Sequence, residues 1–108
     1  MDFDIIKLLI KETRKSLEKL CVAEKAVHSN SDDGGFIDSL TYDASYQEAA
    51  QEIRLFISQI EKLTDTRFTH MPTAFISAEA TVNSVEPNLK AVEQLIQVLS
   101  SYRKDTQE

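Results

Sequence analysis

Three observations predict an all-α fold, an antiparallel bundle of three long helices. Apolar residues recur at alternating intervals of three and four over three separate segments, which places each set on one helical face. The only glycines are adjacent, Gly34-Gly35, in a stretch rich in turn-forming residues. Both prolines, Pro72 and Pro87, come late, so no breaker interrupts the first two segments. At 108 residues, 42% hydrophobic and 28% charged, the chain has the balance of one globular unit, and residues 1–108 are expected to form a single helical-bundle domain.

The first helix is expected over about 3–27. Phe3, Ile6, Ile10, Thr13, Leu17, Leu20, Glu24 and Val27 share one face, with Thr13 and Glu24 as polar lapses. The loop from His28 to Gly35 ends it. A second seam, Tyr42, Tyr46, Ala49, Ile53, Phe56, Ile60 and Leu63, predicts a helix over about 39–64. Asp38 or Ser39 could cap it, and Ser45-Tyr-Gln-Glu48 also fits a capping box.

Thr64 to Pro72 lacks the seam and forms the second connection, with Pro72 suited to a first helical turn. The third helix is expected over about 72–103, bent or broken near Pro87. Met71, Phe75, Ala78, Val82, Val85, Leu89, Val92, Ile96 and Leu99 keep one phase through that proline, which favours a bend. The β-branched residues Thr73, Ile76, Thr81, Val82 and Val85 weaken helix propensity in the first half and leave a strand open there. Connections of about ten and seven residues suit antiparallel neighbours in an up-down-up order. The seven-residue seams predict shallow-angle, coiled-coil-like packing.

Composition narrows function. A chain this short buries only about two thirds of its unfolded surface, enough for one modest core but not for a core plus a deep pocket. The formal charge of −6 disfavours nucleic acid. No apolar run approaches the roughly 20 residues that span a bilayer, and Asp2, Asp4 and Lys7 interrupt the N-terminal apolar cluster, so no membrane partner and no signal peptide are expected. Cys21 is the single cysteine, which fits a reducing compartment. The chain is read as cytoplasmic and complete from its initiating Met.

No catalytic, metal or cofactor motif emerges. His28 ends the first helix and His70 lies in the connection at its other end, roughly 37 Å away, so the two cannot share a site. Asn30-Ser-Asp-Asp-Gly-Gly-Phe36 has the oxygen side chains of a calcium loop, but its twelfth position holds Leu40 or Thr41 where a bidentate Glu is needed. Glu48 and Glu52 stand one turn apart without the Glu-x-x-His repeats of a di-metal bundle. Cys21 has no neighbouring histidine and reads as a small hydrophobe.

Charge, by contrast, is polarised. Lys7, Lys11, Lys15 and Lys19 follow one another at i+4, whereas no Lys or Arg occurs from Ala26 to Ile53, where Asp32, Asp33, Asp38, Asp43, Glu48 and Glu52 accumulate. These six acids are candidates for attracting a basic partner. The lysine stripe could face the acidic region of another copy. Ile5, Leu55, Ile57, Ile76, Leu95, Val98 and Tyr102 fall outside the seams, and Leu95, Val98 and Tyr102 are candidates for an apolar interface near the C-terminal end.

The expected function is a non-enzymatic protein-protein interaction module, a small acidic helical binding protein of the type of immunity or antitoxin-like proteins, secretion chaperones or adaptors. Its expected partner is another protein, of basic character, and/or a second copy in a homodimer. A self-associating structural or assembly subunit is the alternative, and a histidine phosphocarrier ranks third.

Overall fold

A computed structural model describes residues 2–30 and 43–106, with side-chain detail for 2–27 and 43–102. It contains α1 (Phe3–Asn30), α2 (Ala44–Thr64) and α3 (Ala78–Thr106), and no strand among the described residues. The three-helix bundle is as expected, with α1 packed against both α2 and α3.

Each helix is fixed by a polar group at its start. Asp2 accepts from the amide of Ile5 at 3.2 Å and opens α1. For α2 the cap is Asp43, in extended conformation, its Oδ1 accepting from the Tyr46 amide at 2.8 Å. The expected start at 39 is therefore corrected to 44. Ser45 and Glu48 sit inside the helix rather than at its cap, while Asp38 and Ser39 lie outside the described residues. At its far end α2 stops on Asp65 in the left-handed conformation (φ 53), whose amide and that of Thr66 both donate to the Glu61 carbonyl.

α3 begins at Ala78, not 72. Its first turn is held by Ser77, whose carbonyl accepts from the Thr81 amide at 3.0 Å, and by the Glu24 carboxylate of α1, which accepts from the Ala78 amide. Glu24 is thus no lapse in a seam. Thr13, the other lapse, is fully buried and satisfies its hydroxyl on the Leu9 carbonyl at 2.6 Å. Pro87 neither ends nor divides α3, which runs through it as one helix. The next residue, Asn88, donates its side-chain amide to the Ser84 carbonyl at 2.8 Å, beside the Asn83 carbonyl that proline leaves without its backbone donor.

Pairings between helices give their directions. On α1 and α2, Ser16 and Lys19 meet Glu52, and Ala26 shares a groove with Ser45, so residue numbers fall on one helix as they rise on the other. On α1 and α3, Glu24 meets Ala78, Arg14 meets Glu86 and Glu93, and Lys7 lies with Ile96 and Ser100. Both α2 and α3 are therefore antiparallel to α1 and parallel to each other. The expected up-down-up order is corrected to up-down-down.

That order requires the chain to return the length of α2 before α3 starts. The thirteen residues Asp65–Ser77 do so outside any helix. At about 3.3 Å per residue they can reach roughly 43 Å, against about 31 Å for α2, whereas the seven-residue connection expected from sequence could not. The strap is fastened at both ends and in the middle. The Phe68 amide donates to Glu61 Oε2 at 2.7 Å. The Thr69 amide and carbonyl are bonded by the Asn88 side-chain amide at 2.9 and 3.0 Å. Phe75 is buried under Arg54, 4.5 Å from its ring centroid, and its carbonyl accepts from the Tyr46 hydroxyl at 2.7 Å.

The core comprises Ile6, Ile10, Leu17 and Leu20 from α1, Ile53 and Ile60 from α2, and Val85, Leu89 and Ile96 from α3, with Tyr46 and Phe75 closing it at the strap. Seam residues Phe56 and Leu63 are displaced from the deepest positions by Ile57 and Thr64. A straight helix of 3.6 residues per turn rotates about 20° per heptad against a strict seven-residue repeat, which moves the buried stripe on by one residue over two heptads. At 63 × 21 × 17 Å the molecule is elongated, longer than the roughly 43 Å of its longest helix.

Candidate functional site

The sequence candidates separate to opposite ends of the bundle. At the end where α1 finishes and α2 starts, Asp43, Glu48 and Glu52 line one groove of about 480 Å³ with Lys19, Val22, Ala23, Ala26, Ser45 and Ala49. Its floor is small and apolar, because Ala23 and Ala49 let the two backbones approach. Its rim is acidic. Val22 projects beside it at 67% exposure. Asp32, Asp33 and Asp38 lie outside the described residues.

The three described acids differ in their engagements. Asp43 is half-buried and caps α2. Glu52 Oε1 accepts from the Ser16 hydroxyl at 2.9 Å and pairs with Lys19 at 3.4 Å, which locks the α1–α2 interface at a buried serine. Glu48, between them along the groove, is exposed and makes no hydrogen bond or ion pair to another described residue. Of the three it is the exposed one, with no ion pair to another described residue.

The lysine stripe does not form one face. Each i+4 step advances 40° around a helix, so the row spirals from the α3 flank to the α2 flank. Lys7 lies beside Glu93 and Gln97, and Lys19 reaches Glu52. The most extensive basic contact belongs to Arg14, which lies outside the lysine row. It donates to Glu86 at 2.7 Å and to Glu93 at 2.8 Å, clamping α1 to α3. Hydrogen bonds from Arg14 hold the Glu93 carboxyl below the usual range, and the Glu93 and Glu86 bonds in turn raise the guanidinium pKa.

At the opposite end, Leu95 and Leu99 are half-buried, whereas Val98 and Tyr102 are 62% and 71% exposed. Other residues outside the seams behave unequally. Ile57 is buried, contrary to its place among the surplus apolar residues, while Ile5, Leu55 and Ile76 are exposed. Leu8 and Leu63, at 55% and 39% exposure, add apolar surface near the same end as Val98.

The remaining candidates stand apart. Cys21 is half-buried, and burial raises its thiol pKa, which opposes thiolate chemistry. His70 is exposed on the strap with φ 60, part-way along the bundle rather than at its end. The side chain of His28 lies outside the described residues. Among the described residues no three His, Cys, Asp or Glu side chains are grouped to hold a metal ion, and no helix is long and apolar enough to cross a membrane. In comparisons with known proteins, the chain matches no family model, no curated protein and no solved structure.

Proposed function

We propose that the protein is a non-enzymatic interaction module that binds a basic partner at the acidic groove between the end of α1 and the start of α2. The observation that carries this reading is the composition of that groove: an apolar floor of Ala23, Ala26 and Ala49, exposed Val22, and Glu48 with its charge open to solvent. An amphipathic segment with small apolar residues on one side and Lys or Arg on the other would satisfy both features. The net charge of −6 would speed its approach. A lone cysteine fits action in a reducing cytoplasm.

The test is calorimetric titration with a synthetic amphipathic helix that has an alanine-rich face and a lysine face. Binding is expected to weaken between about 50 and 500 mM salt, as screening shortens the reach of charge. Glu48→Lys should abolish it without loss of helicity. Binding indifferent to salt and to Glu48→Lys would refute the acidic groove as the site.

A further inference from the structure

The C-terminal part of α3 carries no charged residue over more than two helical turns. From Gln94 to Tyr102 the sequence is Gln-Leu-Ile-Gln-Val-Leu-Ser-Ser-Tyr, nine residues without a charge in a chain that is 28% charged. Only Ile96 in that stretch is fully buried. The pairing of Glu24 with Ala78 and of Lys7 with Ile96 and Ser100 sets the α1–α3 register, and it places Phe3, the first residue of α1, level with about residue 99 of α3. The helix then continues to Thr106, roughly 10 Å beyond α1.

We infer that this stretch is where a second copy of the chain docks, α3 against α3 in an antiparallel two-fold pair centred near Val98. Leu95, Val98, Leu99 and Tyr102 fall at i, i+3, i+4 and i+7, one continuous stripe on the helix. A two-fold interface must match itself, and an uncharged stripe does so, whereas the acidic groove or the lysines would meet like charge. In sequence the run is flanked by charged residues on both sides, Lys90 and Glu93 before it and Arg103 and Lys104 after it. The copy's net charge chooses the end. Two molecules of charge −6 joined here hold their acidic grooves at the far extremes of the pair, well beyond the screening length of about 8 Å. An antiparallel arrangement also opposes the helix dipoles and keeps the two Arg103-Lys104 positions apart.

The contact is independent of the acidic groove, and it is short, about 14 Å of helix, so association is expected to be concentration-dependent. Sedimentation equilibrium should give a mass near 12.2 kDa in dilute solution that rises towards twice that value as concentration increases. Val98→Glu with Tyr102→Glu should remain monomeric throughout with unchanged helicity. For orientation, Val98→Cys in a Cys21→Ser background should form an intermolecular disulfide under mild oxidation, while Leu55→Cys in the same background should not. A mass that stays near 12.2 kDa at every concentration overturns the inference. So does a dimer that survives Val98→Glu with Tyr102→Glu, or one broken by Glu48→Lys instead.

Discussion

Tyr46→Phe removes one atom and tests how the strap is held. The ring is 1% exposed, and the hydroxyl donates to the Phe75 carbonyl in a buried setting. Deleting the donor leaves that carbonyl unsatisfied, at an expected cost of about 1–2 kcal/mol at neutral pH. For a domain of this size that lowers the melting temperature by roughly 4–16 °C. The same residue supplies a pH signature. Burial pushes the Tyr46 phenol up to about 12 from its ordinary 10.0. A folded pKa above the unfolded one means the contribution is complete below about pH 10 and is lost as pH climbs towards 12. That displacement corresponds to roughly 2–3 kcal/mol. Urea unfolding followed by circular dichroism from pH 7 to 12 should therefore show native protein more stable than Tyr46→Phe at pH 7, with the gap closing or reversing by pH 12. Taking the difference between the two proteins cancels the titration of their lysines and other tyrosines. Equal midpoints at pH 7, or a gap that does not change with pH, would refute the buried hydrogen bond.

Arg14→Ala should cost about 1 kcal/mol, modest because Arg14 and Glu93 are more than a third exposed, and the loss should shrink at high salt. Because the Glu93 pKa is lowered, the clamp's contribution is present above the unfolded carboxyl pKa and is lost as pH falls through the folded value. Acid unfolding monitored by circular dichroism should accordingly be shallower for Arg14→Ala than for native protein. Pro87→Ala restores a backbone donor within α3 and should raise stability by on the order of 1–3 kcal/mol in chemical denaturation; a destabilised variant would mean that α3 depends on the proline's geometry.

Periodicity alone located α1, the body of α2 and the second half of α3, since a buried face must repeat with the helix. The misplaced start of α3 has a specific cause. Met71 and Phe75 continue the phase of its seam and do contact the core, but they reach it from the strap. A spacing rule cannot separate a helical turn from an extended segment that happens to deliver apolar side chains at the same interval. The direction of α3 was lost with that boundary, because a short connection implies an antiparallel neighbour. Glu24 was unreadable for another reason: its partner is the Ala78 amide, a group defined only once α3 has a beginning. At the candidate sites, spacing correctly set Val98 and Tyr102 outside the seams. It could not foresee that Asp43 serves as a cap and Glu52 as a bridge to Ser16, since each role depends on local conformation or on a neighbouring helix.

The strap makes α3 a tethered component. Thr73 and Ala74, within the return, are both exposed. Cutting there divides the molecule into a helical hairpin and a separate helix that retain all their packing surfaces. What is lost is proximity: once its anchors release, a tether of this length holds its ends at an effective concentration of the order of millimolar. Two synthetic halves, residues 1–73 and 74–108, should recover helicity on mixing, with a melting temperature that depends on their concentration where the intact chain's, in dilute solution, does not. Halves that stay unfolded together at millimolar concentration would mean the strap contributes more than its reach.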